Sequence, residues 1–131
     1  MALMPVHRDT ATAAFFDGTA RGEFLLVRDT HTGALLDPKT DTSFDRERFD
    51  TVPASGGAKV VSWSVPHTRL PSGETLRTIV GIVQLDEGPW WWTELRGFHP
   101  DDDLSGARVH VDFERSGEGE GAEVIPLFVK S

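Results

Sequence analysis

The chain has 131 residues, 38% of them hydrophobic, with four Trp, eight Phe, no Tyr, no Cys and a formal net charge of −8. That length gives one domain able to bury a core without staples, and the missing Cys excludes disulfides and thiolate metal sites and predicts an intracellular, cytoplasmic protein. The acidic balance argues against nucleic acid, which needs a basic track, and no apolar run reaches the length of a membrane span.

Residues 1–9 carry charge and a Pro but no long apolar segment, which predicts no signal peptide. A short helix follows over residues 11–16, capped by Thr10 or Thr12 and ended or broken near Gly18. Phe15 and Phe16 are its docking residues, pinning it to the body or to a partner. Residues 23–28 (EFLLVR) predict a strand that returns through Ala34, Leu35 and Leu36 after the polar turn 29–33. The stretch 37–54 is polar and irregular, with Phe44 and Phe49 as its expected anchors.

From Gly56 onward the pattern is all β. Residues 58–65 form a strand with Val61, Trp63 and Val65 on one face and Val60, Ser62 and Ser64 on the other. A loop with Pro66, Pro71 and Gly73 leads to a strongly apolar strand over 76–85. Asp86, Glu87, Gly88 and Pro89 then turn the chain into a strand over 90–95. After the acidic loop at 101–103 comes a strand over 107–114, alternating Val109, Val111 and Phe113 against Arg108, His110 and Asp112. A Gly/Glu loop at 116–121 precedes the closing strand, 124–129. Five strands with no helix among them predict a mainly β fold, a small barrel.

Three consecutive tryptophans stand out. Along a strand, Trp90 and Trp92 point one way and Trp91 the other, so one face enters the core and the other needs a cover. Which face does which depends on register. The uncovered part predicts a docking surface.

No nucleophile elbow, phosphate-binding glycine loop, dinucleotide fingerprint or His-Glu-x-x-His motif occurs. The five His, at 7, 31, 67, 99 and 110, are scattered. A general acid/base pair needs a shielded pocket to shift its pKa, and nothing around 101–103 suggests one. No catalytic residue is assigned.

The ordered pieces resemble a family of bacterial and archaeal OB-fold proteins with a rubredoxin-like zinc ribbon, associated with acyl-CoA metabolism. Residues 15–18 with 21–26 are similar to its entering helix and first strand. Residues 61–65 with His67 resemble its first barrel strand, and 80–89 (VGIVQLDEGP) its most recognisable strand and turn. Residues 109–114 and 125–128 resemble its last two strands. The resemblance implies a five-stranded OB-fold barrel over 55–131, a ribbon-like hairpin and loop over 23–54, and an N-terminal helical segment over 1–22.

The family ribbon carries two Cys-x-x-Cys pairs on zinc. Here the first pair falls on Asp29 and Thr32 and the second between Asp41 and Arg46, so the ribbon is expected to be degenerate, without zinc, and held by Leu25, Leu35, Leu36, Phe44 and Phe49. Asp29, His31, Asp37 and Asp41 are weighed as metal ligands, and solvated loop residues are preferred.

The resemblance further implies a non-catalytic accessory subunit of a thiolase-like enzyme or a lipid-transfer-type aldolase, with acyl-CoA hydratases as further partners. Such a subunit helps bind or channel an acyl-CoA thioester, in lipid, steroid side-chain or polyketide-type metabolism. Trp63, Trp91 and Phe98 are candidates for an apolar wall, although barrel core is preferred for Trp63; Arg69, Arg77 and Arg96, with His67, are candidates for the anion side. Trp90, Trp91 and Trp92 supply partner contacts, as do Phe15 and Phe16. The competing reading is an OB-fold binder of single-stranded nucleic acid, for which aromatic stacking residues are present and a basic groove is not.

Overall fold

The computed structural model describes residues 13–117 and 122–131. The expected caps Thr10 and Thr12 lie outside them. Helix α1, Ala13–Ala20, runs straight through Gly18 rather than breaking there. A Cβ on Gly18 would sit 2.6 Å from Leu25 Cγ, so this glycine lets the helix seat closely on the strand that follows. The break comes four residues later. Gly22 takes φ 76°, while Gly22 N–H donates to the Thr19 carbonyl and Glu23 N–H to that of Gly18, the paired bonds of a Schellman ending.

Next come β1, Leu25–Asp29, and β2, Leu35–Leu36, joined as the expected hairpin. The stretch expected to be irregular then builds a single 3-10 turn, Arg46–Arg48, and a third strand, β3, Phe49–Pro53. β3 pairs with β1 along its whole length, from Leu25↔Pro53 to Asp29↔Phe49. Phe49 is half-buried, but Phe44 is 70% exposed and touches Phe49 edge-on at 5.5 Å. It anchors nothing in the core, because turns capped by the Asp37 and Asp41 carboxylates hold this loop on the surface.

β4, Gly57–Ser64, opens the barrel. The loop expected after it forms a short hairpin, β5, His67–Arg69, with β6, Thr75–Arg77, hidden from a reading that takes Pro66, Pro71 and Gly73 as loop markers. The barrel continues with β7, Ile79–Leu85, β8, Trp90–Arg96, β9, Arg108–Arg115, and β10, Val124–Lys130. The five long strands close in the order β10-β8-β7-β4-β9. All neighbours are antiparallel except β8 and β10. This is the OB-fold barrel with its short N-terminal helix, as the resemblance implied.

One parity expectation fails. The pairing of β4 with β7 shifts between Val60 and Ser62, a β-bulge at Val61. Ala58 and Val60 therefore face inward before the bulge, and Trp63 and Val65 pack on the core after it, while Val61 is 38% exposed. Gly81 makes the bulge possible, since a Cβ there would lie 2.3 Å from the Ser62 carbonyl oxygen. The core joins Ala58, Val60, Ile79, Val83, Leu85, Leu95, Leu104, Val109 and Phe128 to Phe24 and Leu26 of the ribbon side. Among the described residues no helix is long and apolar enough to cross a membrane.

Candidate functional site

Strand β8 settles the tryptophan run. Leu95, Thr93 and Trp91 point inward, and Trp91 packs with its ring centroid 5.0 Å from Phe24 and 5.5 Å from Phe15. Trp90 and Trp92 point outward and are 55% and 58% exposed. Across β7 their register partners are Gln84 and Ile82, with Val80 one pair further along the same face. Two large indoles on a β-sheet face, beside half-exposed Ile82 and Val80, form an apolar patch of the kind that marks an interaction surface.

Beside that patch the barrel wall is split. β8 and β10 pair only at Leu95↔Phe128 and Arg96↔Val129. Upstream the two strands part, and Pro126 has no N–H with which to extend the pairing. The gap is a cleft of about 990 Å³. Phe15, Trp91 and Trp92 line one side and Ile125, Pro126 and Leu127 the other, with loop residues 38–43 and Arg46 at the rim. Lys39 Nζ stands 5.3 Å from the Trp91 ring centroid, a cation–π contact. Among the described residues, neither Lys39 nor Arg46 forms a salt bridge.

The candidates from sequence divide into separate groups. Phe15, Phe16, Trp91 and Trp92 share the cleft. Phe16 is only 8% exposed, so it pins the helix to its own body rather than presenting a surface to a partner. His67, Arg69 and Arg77 lie together on the β5–β6 hairpin, with His67 opposite Arg77, whose guanidinium is 3.7 Å from the Asp101 carboxylate. Phe98 sits after β8 beneath Lys130, 5.8 Å from its Nζ, and packs on the core, as does Trp63. None of these hairpin or core residues lines the cleft.

Arg96 corrects an expectation. Its guanidinium bonds the Glu94 carboxylate at 2.7 Å and that of Glu114 at 2.7 Å. Glu94 and then Glu114 push its pKa up, and Arg96 in turn holds Glu114 below its usual range. A cation shared by two carboxylates has no positive charge to spare for a phosphate. Lys39 and Arg46 are the cations that sequence reasoning missed; they reach the cleft through the path of a loop that no local pattern encodes. Pro126 within a strand was the one available sign that the β8–β10 seam is incomplete.

Three other arginines are paired as well: Arg28 with Asp50, Arg48 with Asp29 at 2.7 Å, and Arg108 with Asp86 at 2.9 Å. These bonds hold Asp50 and Asp86 below the ordinary carboxylate range and bring Asp29 to about 2. Carboxylates stabilised as anions serve as structural partners, not as proton donors near neutral pH.

The ribbon's donor set does not fit zinc. Asp29 is taken by Arg48, the Thr32 hydroxyl accepts a bond from Ala34 N–H, and the Asp41 carboxylate accepts one from Ser43 N–H. Among the described residues no group of three His, Cys, Asp or Glu is placed to hold a metal ion.

Residues 51–114 match the family model of the ChsH2 C-terminal OB-fold domain. Among solved structures, the chain is similar to one described as the Ltp2-ChsH2(DUF35) aldolase, with TM-score 0.73 and 25% identity, over 94% of this chain and 96% of that one. It shares its fold with a protein of unknown function of the DUF35 family from Sulfolobus solfataricus, with TM-score 0.56 and 14% identity, over 78% and 77% of the two chains. No curated protein is a significant match.

Proposed function

We propose, with the ChsH2-type OB-fold domain over residues 51–114 as the premise, that this chain is a non-catalytic accessory subunit. It docks on a thiolase-like enzyme or aldolase and helps hold an acyl-CoA thioester there. The observation that carries the reading is the likeness to the Ltp2-ChsH2(DUF35) aldolase over nearly the full length of both chains. The outward Trp90 and Trp92 support it, because buried aromatic anchors dominate protein interfaces. The paired arginines and the net charge of −8 favour a protein partner over single-stranded nucleic acid.

The acyl-CoA part rests on the cleft. Its wall of Phe15, Trp91, Trp92 and Leu127 suits an acyl or pantetheine chain, and Lys39 and Arg46 at the rim suit phosphates. These two cations take the role that sequence reasoning gave to Arg69, Arg77 and Arg96, with His67.

Co-expression with the thiolase-like enzyme of the same cell tests the proposal. The two chains are expected to co-elute, and the complex to bind acyl-CoA more tightly than the Lys39→Glu/Arg46→Glu complex does. Separate elution at micromolar concentration overturns the docking reading. Equal acyl-CoA affinity in the two complexes overturns the ligand reading alone.

A further inference from the structure

The Asp29 carboxylate is fully engaged. It sits at the end of β1, with its side chain 9% exposed. Oδ1 accepts from His31 N–H at 2.9 Å, two residues on, and so fixes the turn that follows β1. The Arg48 guanidinium, 19 positions along the chain, closes on the same group: Nε lies 3.0 Å from Oδ1, and Nη2 lies 2.7 Å from Oδ2. Arg48 is the last residue of the 3-10 turn that leads into β3. Its carbonyl accepts both Thr30 N–H, at 2.8 Å, and the Thr30 hydroxyl, at 2.6 Å.

The side chain and backbone of Arg48 are thus both bound to the turn after β1. That joins the turn on which the resemblance places the first half of a zinc site to the 3-10 turn that begins at the end of 41–46, the stretch on which it places the second. An arginine fork pointing at Asp29 puts a fixed positive charge where a cation would have to go. The remaining oxygens of Thr32 and Asp41 are committed to their own turns.

We infer that the Asp29–Arg48 ion pair is the crosslink of this ribbon, tying the turn after β1 to the turn before β3 in place of a metal ion. A two-point guanidinium–carboxylate fork has the directionality to set that geometry. The carboxylate is the sheltered partner, 9% exposed against 33% for Arg48, so removing Arg48 strands the Asp29 charge while removing Asp29 leaves Arg48 access to water.

The test compares Asp29→Asn, Arg48→Met and the double variant by thermal unfolding, with backbone hydrogen exchange on each. Each single variant is expected to lose several degrees of Tm, and the double variant less than the sum of the two losses. Exchange is expected to accelerate more in residues 25–29 and 49–53 than in 79–85, where only the global loss of stability is felt. If a single variant does not fold, Arg48→Lys keeps the charge without the fork. Faster exchange confined to the ribbon then supports the crosslink, and exchange equal to wild type overturns it. Additive losses overturn it too. So does stoichiometric zinc that survives purification and whose removal by chelator lowers the Tm. None of these readouts requires the partner enzyme, so the crosslink stands or falls separately from the docking proposal.

Discussion

Trp92 and Ile82 are register partners across β8 and β7, and both face out of the barrel, with more than half of the Trp92 surface in water. One position earlier, Trp91 faces the opposite way, onto Phe24 and Phe15. The period of two along a strand thus gives adjacent, chemically identical side chains different roles. Trp91 belongs to packing and Trp92 to the surface.

Truncation separates these roles. Trp91→Ala removes an aromatic ring packed between helix, ribbon and barrel and is expected to cost about 3 kcal/mol of stability. Trp92→Ala loses a cross-strand pair with Ile82 and an open part of the cleft wall, with no core contact, and is expected to cost less than about 1 kcal/mol. Urea unfolding of the two variants measures both. Equal losses would contradict the division of Trp91 to packing and Trp92 to the surface.

Gly81 offers a second check, on the barrel itself. With a Cβ position 2.3 Å from the Ser62 carbonyl oxygen, Gly81→Ala must push β7 away from the β4 bulge. The contact is to backbone, which cannot rotate aside. A loss of about 1–3 kcal/mol is expected. Gly73, with open space around it, is the control position, although its φ of 87° makes Gly73→Asn a fairer substitution than Gly73→Ala.

Acid should unfold the protein through its paired carboxylates. The Asp29 pKa is lowered to about 2 by the Arg48 hydrogen bonds, and those of Asp50, Asp86 and Glu114 are lowered by Arg28, Arg108 and Arg96. A carboxylate whose folded pKa is depressed binds its proton first in the unfolded chain. Its contribution is therefore present above an ordinary value of about 4 and disappears as pH falls through the folded value. Stability is expected to fall between about pH 4 and pH 2. Asp29→Asn should start lower at pH 7 and fall less steeply over that interval. Parallel profiles for wild type and variant would show that Asp29 is not specially stabilised.

Much of the barrel was legible in the sequence, because half-buried strands write their burial as alternation. Val109, Val111 and Phe113 against Arg108, His110 and Asp112 is the clearest case. What escaped was nonlocal. The bulge at Val61 reverses parity in mid-strand, and its enabling residue, Gly81, lies on another strand. β3 was missed because Phe-Asp-Thr-Val-Pro is weakly apolar and gains its order by pairing with β1. Arg96 looked like an available cation because one of its captors, Glu114, is 18 positions away. The cleft was invisible for the same reason, since it exists only where β8 and β10 fail to meet.

On the proposed reading, the outward Trp90 and Trp92 are anchors for a partner enzyme. Two such hot spots contribute on the order of 2 kcal/mol each, enough for about a thousandfold in affinity if both are lost. Affinity purification from the native cell, run in parallel with wild type and Trp90→Ala/Trp92→Ala, tests it most directly. Wild type is expected to retain a thiolase-like enzyme or aldolase in stoichiometric amount, and the folded double variant to lose it. Equal retention by both proteins, or wild type eluting alone, would contradict the account.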